Sequence, residues 1–276
     1  MAAMAKKQSS GKSVPPWVEP LARFGYATKG VVYILIGALA VLAALDAGGQ
    51  TTDTRGAFQE IYAKPFGQVL LGAVAIGLAA YAIWRVTQAI VDAEGKGKDL
   101  KGISIRIGYA CSGLLHAGLA FSAARLLLGE KEGSSEQAHK SRTAQIMQLP
   151  FGRLLVGLAG TGFIGFGLYQ IYKGYKAKFR KRLEVGAMSK REDEWATRSG
   201  QFGLAARGVV FGIIGYFLIV SALRYDPGKV RGLDGALESL AGQPFGKVLL
   251  GIVAAGLAIY GFYMLVEAKY HRIRAR

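Results

Sequence analysis

The chain has one cysteine, Cys111, so it forms no intrachain disulfide and offers no cysteine cage for a metal. Histidines are few and scattered: His116 falls in an apolar block, His139 and His271 in polar segments. A haem or metal site is therefore not expected. No Walker loop, dinucleotide fingerprint or nucleophile–base pair occurs, and no polar catalytic pair shares an apolar block. These absences remove the usual signatures of an enzyme; a non-enzymatic protein without cofactor or metal is expected. Acidic residues are also short, 18 against 35 Lys and Arg, for a formal net charge of +17. Nucleic-acid binding would need a folded basic module. None is present, so no nucleic-acid partner is expected.

What the chain has instead is apolar sequence in long blocks nearly free of charge, 51% of 276 residues being apolar. That length would suit one or two soluble domains, but a bilayer core demands about 20 apolar residues per helix, which is how the blocks are built. Glycine is abundant at 39 residues. It would weaken a soluble helix, but it lets helix backbones approach closely in lipid. Lys6, Lys7 and Lys12 before the first block resemble a signal peptide. That block opens an internal repeat, so an uncleaved first span is expected.

The repeat is the clearest feature. Each unit opens on a Gly–aromatic–small pattern: Phe24-Gly25-Tyr26-Ala27-Thr28-Lys29-Gly30, Ile107-Gly108-Tyr109-Ala110-Cys111-Ser112-Gly113 and Phe202-Gly203-Leu204-Ala205-Ala206-Arg207-Gly208. Pro-Phe-Gly then precedes each second span, at 65–67, 150–152 and 244–246, and further glycines follow in common register at Gly72, Gly157 and Gly251 and at Gly77, Gly162 and Gly256. Proline is tolerated in a first helical turn, so Pro65, Pro150 and Pro244 are read as helix starts. Six spans result, near 29–46, 66–91, 104–128, 151–173, 203–224 and 245–267. The divisions are a tail (1–17), three helix pairs (18–92, 104–175 and 195–270) and a basic linker (176–194). Short amphipathic patterns before Pro-Phe-Gly, near 56–61, 143–147 and 235–240, predict interfacial helices. Lys and Arg concentrate in both tails and in the loops near 92–106 and 173–207. The positive-inside rule therefore puts both termini in the cytoplasm of a cell membrane. The fold class is all-α integral membrane, three tandem helix pairs of like polarity packing as a pseudo-threefold bundle.

Three Arg-x-Gly-Tyr-Ala-like openings, each with a Pro-Phe-Gly second span, resemble the bacterial membrane family catalogued as domain of unknown function 1206. In that family a transmembrane helix pair occurs three times per chain. The resemblance covers about residues 18–270 and implies the architecture but no chemistry. Arg23 and Arg106 match the family arginine, whereas the third unit has Gln201 there, with Arg198 a turn earlier. Tyr26 and Tyr109 are answered by Leu204.

The candidate site residues lie mainly on the first helices. Lys29, Tyr33 and Gly37 share one face, answered by Ser112, His116 and Ala120 and by Arg207, Phe211 and Gly215. Two readings stand: the cations snorkel to headgroups, or the faces converge on an internal cation–aromatic site. Arg23, Lys29, Arg106, Arg198 and Arg207 form a candidate anion or lipid-headgroup set; Tyr33, Arg85, His116 and Gln170 form a candidate intramembrane polar set. Arg85 has Gln170 and Met264 as counterparts, and Glu267 or Asp92 as its expected partner. The columns Gly77/Tyr81, Gly162/Phe166 and Gly256/Tyr260 read as helix packing. Tyr172, Tyr175, Phe179 and Leu183 amid basic residues read as an amphipathic helix on an anionic leaflet. The leading function is a scaffold or accessory protein binding anionic lipid through a basic cytoplasmic face; a protein partner and oligomerisation remain open. The alternative is a small channel or transporter with an anion-favouring path along the pseudo-threefold axis.

Overall fold

The structure, a computed structural model, describes residues 14–130 and 135–273. Most of the predicted tail at 1–17 lies outside them. Nine α-helices follow in order among the described residues: α1 (Val18–Ala44), α2 (Thr54–Tyr62), α3 (Gly67–Val91), α4 (Leu100–Leu127), α5 (Ser135–Met147), α6 (Gly152–Tyr175), α7 (Lys190–Arg224), α8 (Leu233–Ala241) and α9 (Gly246–Tyr270). Six of them, α1, α3, α4, α6, α7 and α9, are long and apolar enough to cross a membrane. At 1.5 Å per residue even the 24 residues of α6 exceed the roughly 30 Å hydrocarbon core. The short helices α2, α5 and α8 stand before the three Pro-Phe-Gly turns, where the amphipathic patterns predicted them.

Two first helices start well before the apolar blocks. α1 begins at Val18 rather than near 29, and α7 at Lys190 rather than near 203. Polar turns extend them past the hydrocarbon. In α1 Glu19 and Arg23 pair one turn apart at 2.8 Å; in α7 Ser189 and Glu192 form a capping box.

The Pro-Phe-Gly motif corrects the assignment of the prolines. The second helices begin at Gly67, Gly152 and Gly246, two residues after Pro65, Pro150 and Pro244, which belong to a tight turn instead. Phe66, Phe151 and Phe245 adopt left-handed φ values of 61°, 60° and 58°, with the rings 84%, 80% and 86% exposed. The glycine is required by close approach. A methyl group on Gly67, Gly152 or Gly246 would sit 2.2, 1.9 or 1.9 Å from the carbonyl oxygen of Ile61, Ile146 or Ala241.

The six long helices form an open ring. The second helix of each unit packs on the first helix of the next: α3 on α4, α6 on α7, and α9 back on α1. Within units, α1 packs on α3 and α7 on α9, but α4 and α6 make no comparable packing contact. The ring is pseudo-threefold with one seam unmade. One core cluster, with Phe58, Leu71, Leu78, Leu237 and Leu257, fills the half nearest α2 and α8, here the loop face. A second, with Tyr26, Trp84, Phe179, Leu183 and Tyr263, fills the half nearest the chain ends, the terminal face.

The linker after α6 departs from the predicted amphipathic helix. Ala177 takes a left-handed φ of 46° and the chain turns back in short 3-10 segments, 178–182 and 185–187. Phe179 and Leu183 are fully buried beneath the bundle, Phe179 edge-on to Tyr263 with centroids 5.1 Å apart. Leu183 bridges His271, and the Glu184 N–H donates to the Tyr270 carbonyl at 2.8 Å. Burying two large apolar side chains against the bundle end outweighs laying them on a surface: each fully buried one is worth roughly 1.5–3 kcal/mol.

Candidate functional site

Three cations enter the ring interior from three helices. Lys29 of α1 is 6% exposed, and its Nζ donates to the Tyr81 hydroxyl at 3.2 Å while lying 4.7 Å from that ring's centroid. Arg85, one turn after Tyr81 on α3, donates from Nε to the same hydroxyl at 2.7 Å and from Nη1 to Gln88 Oε1 at 2.9 Å. Arg207 of α7 donates from Nη1 to the Tyr260 hydroxyl at 2.7 Å. Its guanidinium stacks 4.4 Å from the centroid of Tyr260, 5.2 Å from Phe211 and 5.5 Å from Tyr33. Tyr33 also faces Lys29 at 6.0 Å, so it joins the two cations. His116 of α4 brings its ring 4.6 Å from Tyr81. Its Nδ1 lies 2.7 Å from the Ser112 carbonyl, an acceptor only, so the ring hydrogen sits on Nδ1.

The partners of these cations are phenol oxygens, an amide and ring faces. Among the described residues no carboxylate lies within ion-pair distance of Lys29, Arg85 or Arg207, and the Arg207 Nε is buried with no hydrogen-bond partner. Cation–π contacts contribute about 0.5–2 kcal/mol each, and none of these partners brings a formal negative charge. The cluster is held together but short of negative charge, which favours an added anion.

The predicted site residues divide. Lys29, Arg207, Tyr33, Arg85 and His116 come together. Arg23 does not: it pairs with Glu19 and donates to the Ala268 carbonyl at 2.8 Å and to that of Lys269, at the end of α9. Arg106 likewise donates to Ala89 and Ile90 at the end of α3, at 2.7 and 3.0 Å. Both satisfy helix C-terminal carbonyls and complement the helix dipole. Arg198 is exposed on the polar start of α7, and Gln170 is buried on α6. The expected partners of Arg85 are engaged elsewhere: Asp92 accepts from the backbone of Lys96 and Gly97 at 2.6 and 2.8 Å, and Glu267 faces His271 at 3.3 Å.

A second polar group was not anticipated. Gln88 donates to Glu94 at 2.6 Å, the Tyr109 hydroxyl donates to Glu94 at 2.8 Å, and Arg182 reaches Tyr109 at 2.7 Å and Glu94 at 3.3 Å. Lys96 adds a pair at 3.1 Å. Burial pushes the Glu94 carboxyl up, but Arg182 and Lys96 more than offset it and hold it well below the usual carboxylate range. Burial pushes the Arg182 guanidinium down, and Glu94 and Tyr109 reverse this, raising it above its ordinary value. Through Gln88 this network touches Arg85. Its one trace in the sequence is an acid inside a basic loop. Tyr81 and Tyr260, read as packing residues, hold the cations; a tyrosine one turn before Arg85 was the available signal.

No solved structure matches the chain significantly. "Uncharacterized protein YxxB" of Bacillus subtilis (strain 168) is 40% identical over 258 residues, 94% of this chain and 93% of the relative. A family profile matches three times, over residues 24–92, 107–177 and 202–271, which are the three helix pairs of the ring. The chain therefore belongs to the family described as Domain of Unknown Function (DUF1206).

Proposed function

We propose that this is a non-enzymatic, multi-pass cell-membrane protein that binds an anion inside its helix ring, with Lys29, Arg85 and Arg207 as the binding groups. One observation carries the reading: three cations converge from α1, α3 and α7 with no carboxylate beside them among the described residues. The terminal face is cytoplasmic, where Lys176, Lys178, Lys181, Lys190 and Arg191 are exposed. That same basic face favours a second reading, a scaffold held against anionic lipid, but surface charge of this kind accompanies many membrane proteins, whereas buried cations with no carboxylate in contact are rarer.

The test is thermal unfolding of the delipidated protein in non-ionic detergent with inorganic phosphate added. A bound anion stabilises the folded state by about 2.7 kcal/mol at a hundredfold excess over Kd. The midpoint is expected to rise for the wild type and not for the Lys29→Ala/Arg207→Ala variant. Equal shifts in both would remove the interior site and leave the scaffold reading.

A further inference from the structure

The internal repeat supplies its own control for helix packing, because each seam of the ring occurs in three equivalent copies. The seams between units are all made. A methyl group built on Gly30, Gly113 or Gly208 would lie 2.8, 3.2 or 2.6 Å from the carbonyl oxygen of Gly261, Ala82 or Gly167. Within units the pattern breaks. A methyl on Gly25 would meet Tyr81 Cα at 2.7 Å, and one on Gly203 would meet Tyr260 Cα at 2.5 Å. On the equivalent Gly108 it would meet nothing within 4 Å. Gly77 and Gly256 behave the same way, lying against Thr28 and Ala206, while Gly162 again faces open space and its counterpart Cys111 is exposed. The α4–α6 seam thus carries small residues at the contact positions and leaves them unpacked.

Contacts lead from both sides of this seam to the cationic cluster. From α6, Phe166 and Phe163 contact Phe211 at 5.1 and 5.7 Å, and Phe211 touches Arg207. From α4, His116 contacts Tyr81, which holds Lys29 and Arg85. The two ends of the bundle are occupied by packed side chains. The loop-face core fills one end of the ring, and the linker with Phe179 and Leu183 fills the other, fastened to α4 by Arg182 on Tyr109. Depth names the occupant. Lys29 lies six residues beyond Arg23, whose guanidinium marks the end of α9. Six residues are about 9 Å along a helix, comparable to the roughly 5–10 Å by which an interfacial helix face is buried into the boundary of headgroups and acyl chains. A seam open to the bilayer at that depth, with cations that no carboxylate contacts behind it, suits an anionic phospholipid of the terminal-face leaflet.

We propose that the unpacked α4–α6 seam is a lateral portal through which the anionic headgroup of a membrane lipid reaches Lys29, Arg85 and Arg207, its acyl chains remaining against the exposed Leu115 and Phe166. This rests on the interior anion site proposed above and names its ligand.

The experiment is native mass spectrometry of the protein released from nanodiscs of phosphatidylglycerol and phosphatidylethanolamine. The wild type is expected as a monomer retaining one phosphatidylglycerol. Gly108→Leu/Gly162→Leu fills the seam at positions with room for the side chains and is expected to lower retention about tenfold or more, as is Lys29→Ala/Arg207→Ala. If only the cluster variant loses lipid, the portal is overturned and the anion site stands. If only the seam variant does, the headgroup assignment is overturned. If neither does, both are, and a lipid-free dimer means a second copy covers the seam. As an independent check, the repeat places Cys111 against position 162 when the seam is closed. A rapid disulfide between Cys111 and a Gly162→Cys variant in native membranes would overturn the portal, and its absence is expected.

Discussion

Alanine at Gly25 and alanine at Gly108 are the same substitution at equivalent positions of two repeats, and the structure assigns them opposite effects. At Gly25 the new methyl lies 2.7 Å from the backbone nitrogen and Cα of Tyr81. Ordinary contact begins near 3.4 Å, so α1 and α3 must separate by about 0.7 Å; a backbone, unlike a side chain, has no rotamer with which to yield. Overpacking of this kind costs roughly 1–3 kcal/mol. Both variants gain helix propensity of about 1 kcal/mol, which cancels in the comparison. Gly108→Ala meets nothing within 4 Å and keeps the gain. The two variants should therefore differ by the whole overpacking cost, with Gly25→Ala the less stable. At about 2–4 °C per kcal/mol for a chain near this size, thermal unfolding in detergent micelles resolves that difference. Gly203→Ala, with Tyr260 Cα at 2.5 Å, should follow Gly25→Ala. Equal midpoints for the Gly25 and Gly108 variants would mean that α4 and α6 pack like the other pairs, and the open seam would have to be abandoned.

Two further outcomes are expected. Glu94 is held below its ordinary pKa, so its ion pairs stabilise the fold above the unfolded value of about 4.3 and are lost as pH falls through the folded pKa; Glu94→Gln should be less stable at neutral pH and lose part of the acid-side decline in melting temperature, and an unchanged acid limb would contradict the network. Lys181→Cys in a Cys111→Ala background should react with a membrane-impermeant maleimide in inverted vesicles and not in intact cells, and the reverse pattern would invert the proposed topology.

The part of the architecture legible in the sequence follows from local rules. A bilayer helix needs a block of apolar residues of set length, so the spans stand out, and a turn that brings a backbone against preceding carbonyls needs Gly67, Gly152 and Gly246, so the repeat stands out. The first-helix faces bearing Lys29, Tyr33, His116 and Arg207 were visible for the same reason, since helical spacing alone places such residues on one stripe. Their direction was not visible. Snorkelling and internal convergence use the same residues, and only the packing of α1 on α3 and of α7 on α9 turns Lys29 toward Tyr81 and Arg207 toward Tyr260. Arg23 and Arg106 show the converse: they sit among the other cations in sequence, yet are committed to carbonyls at the ends of helices from other units.

By itself, then, the sequence determined the six spans, the three units, the short helices before each Pro-Phe-Gly turn and the identity of the cations near the terminal face, each a consequence of periodicity or length within a few turns of chain. The tertiary structure decided the rest. The linker folds back because Phe179 and Leu183 find a bundle end to bury against, and Glu94 becomes the centre of a network because the linker brings Arg182 to it. Gly108 and Gly162 lie open although Gly25 and Gly77 at the same repeat positions are packed. Local sequence sets what each helix surface offers, while the joint packing of six helices, a property of all their contacts at once, decides which surfaces meet.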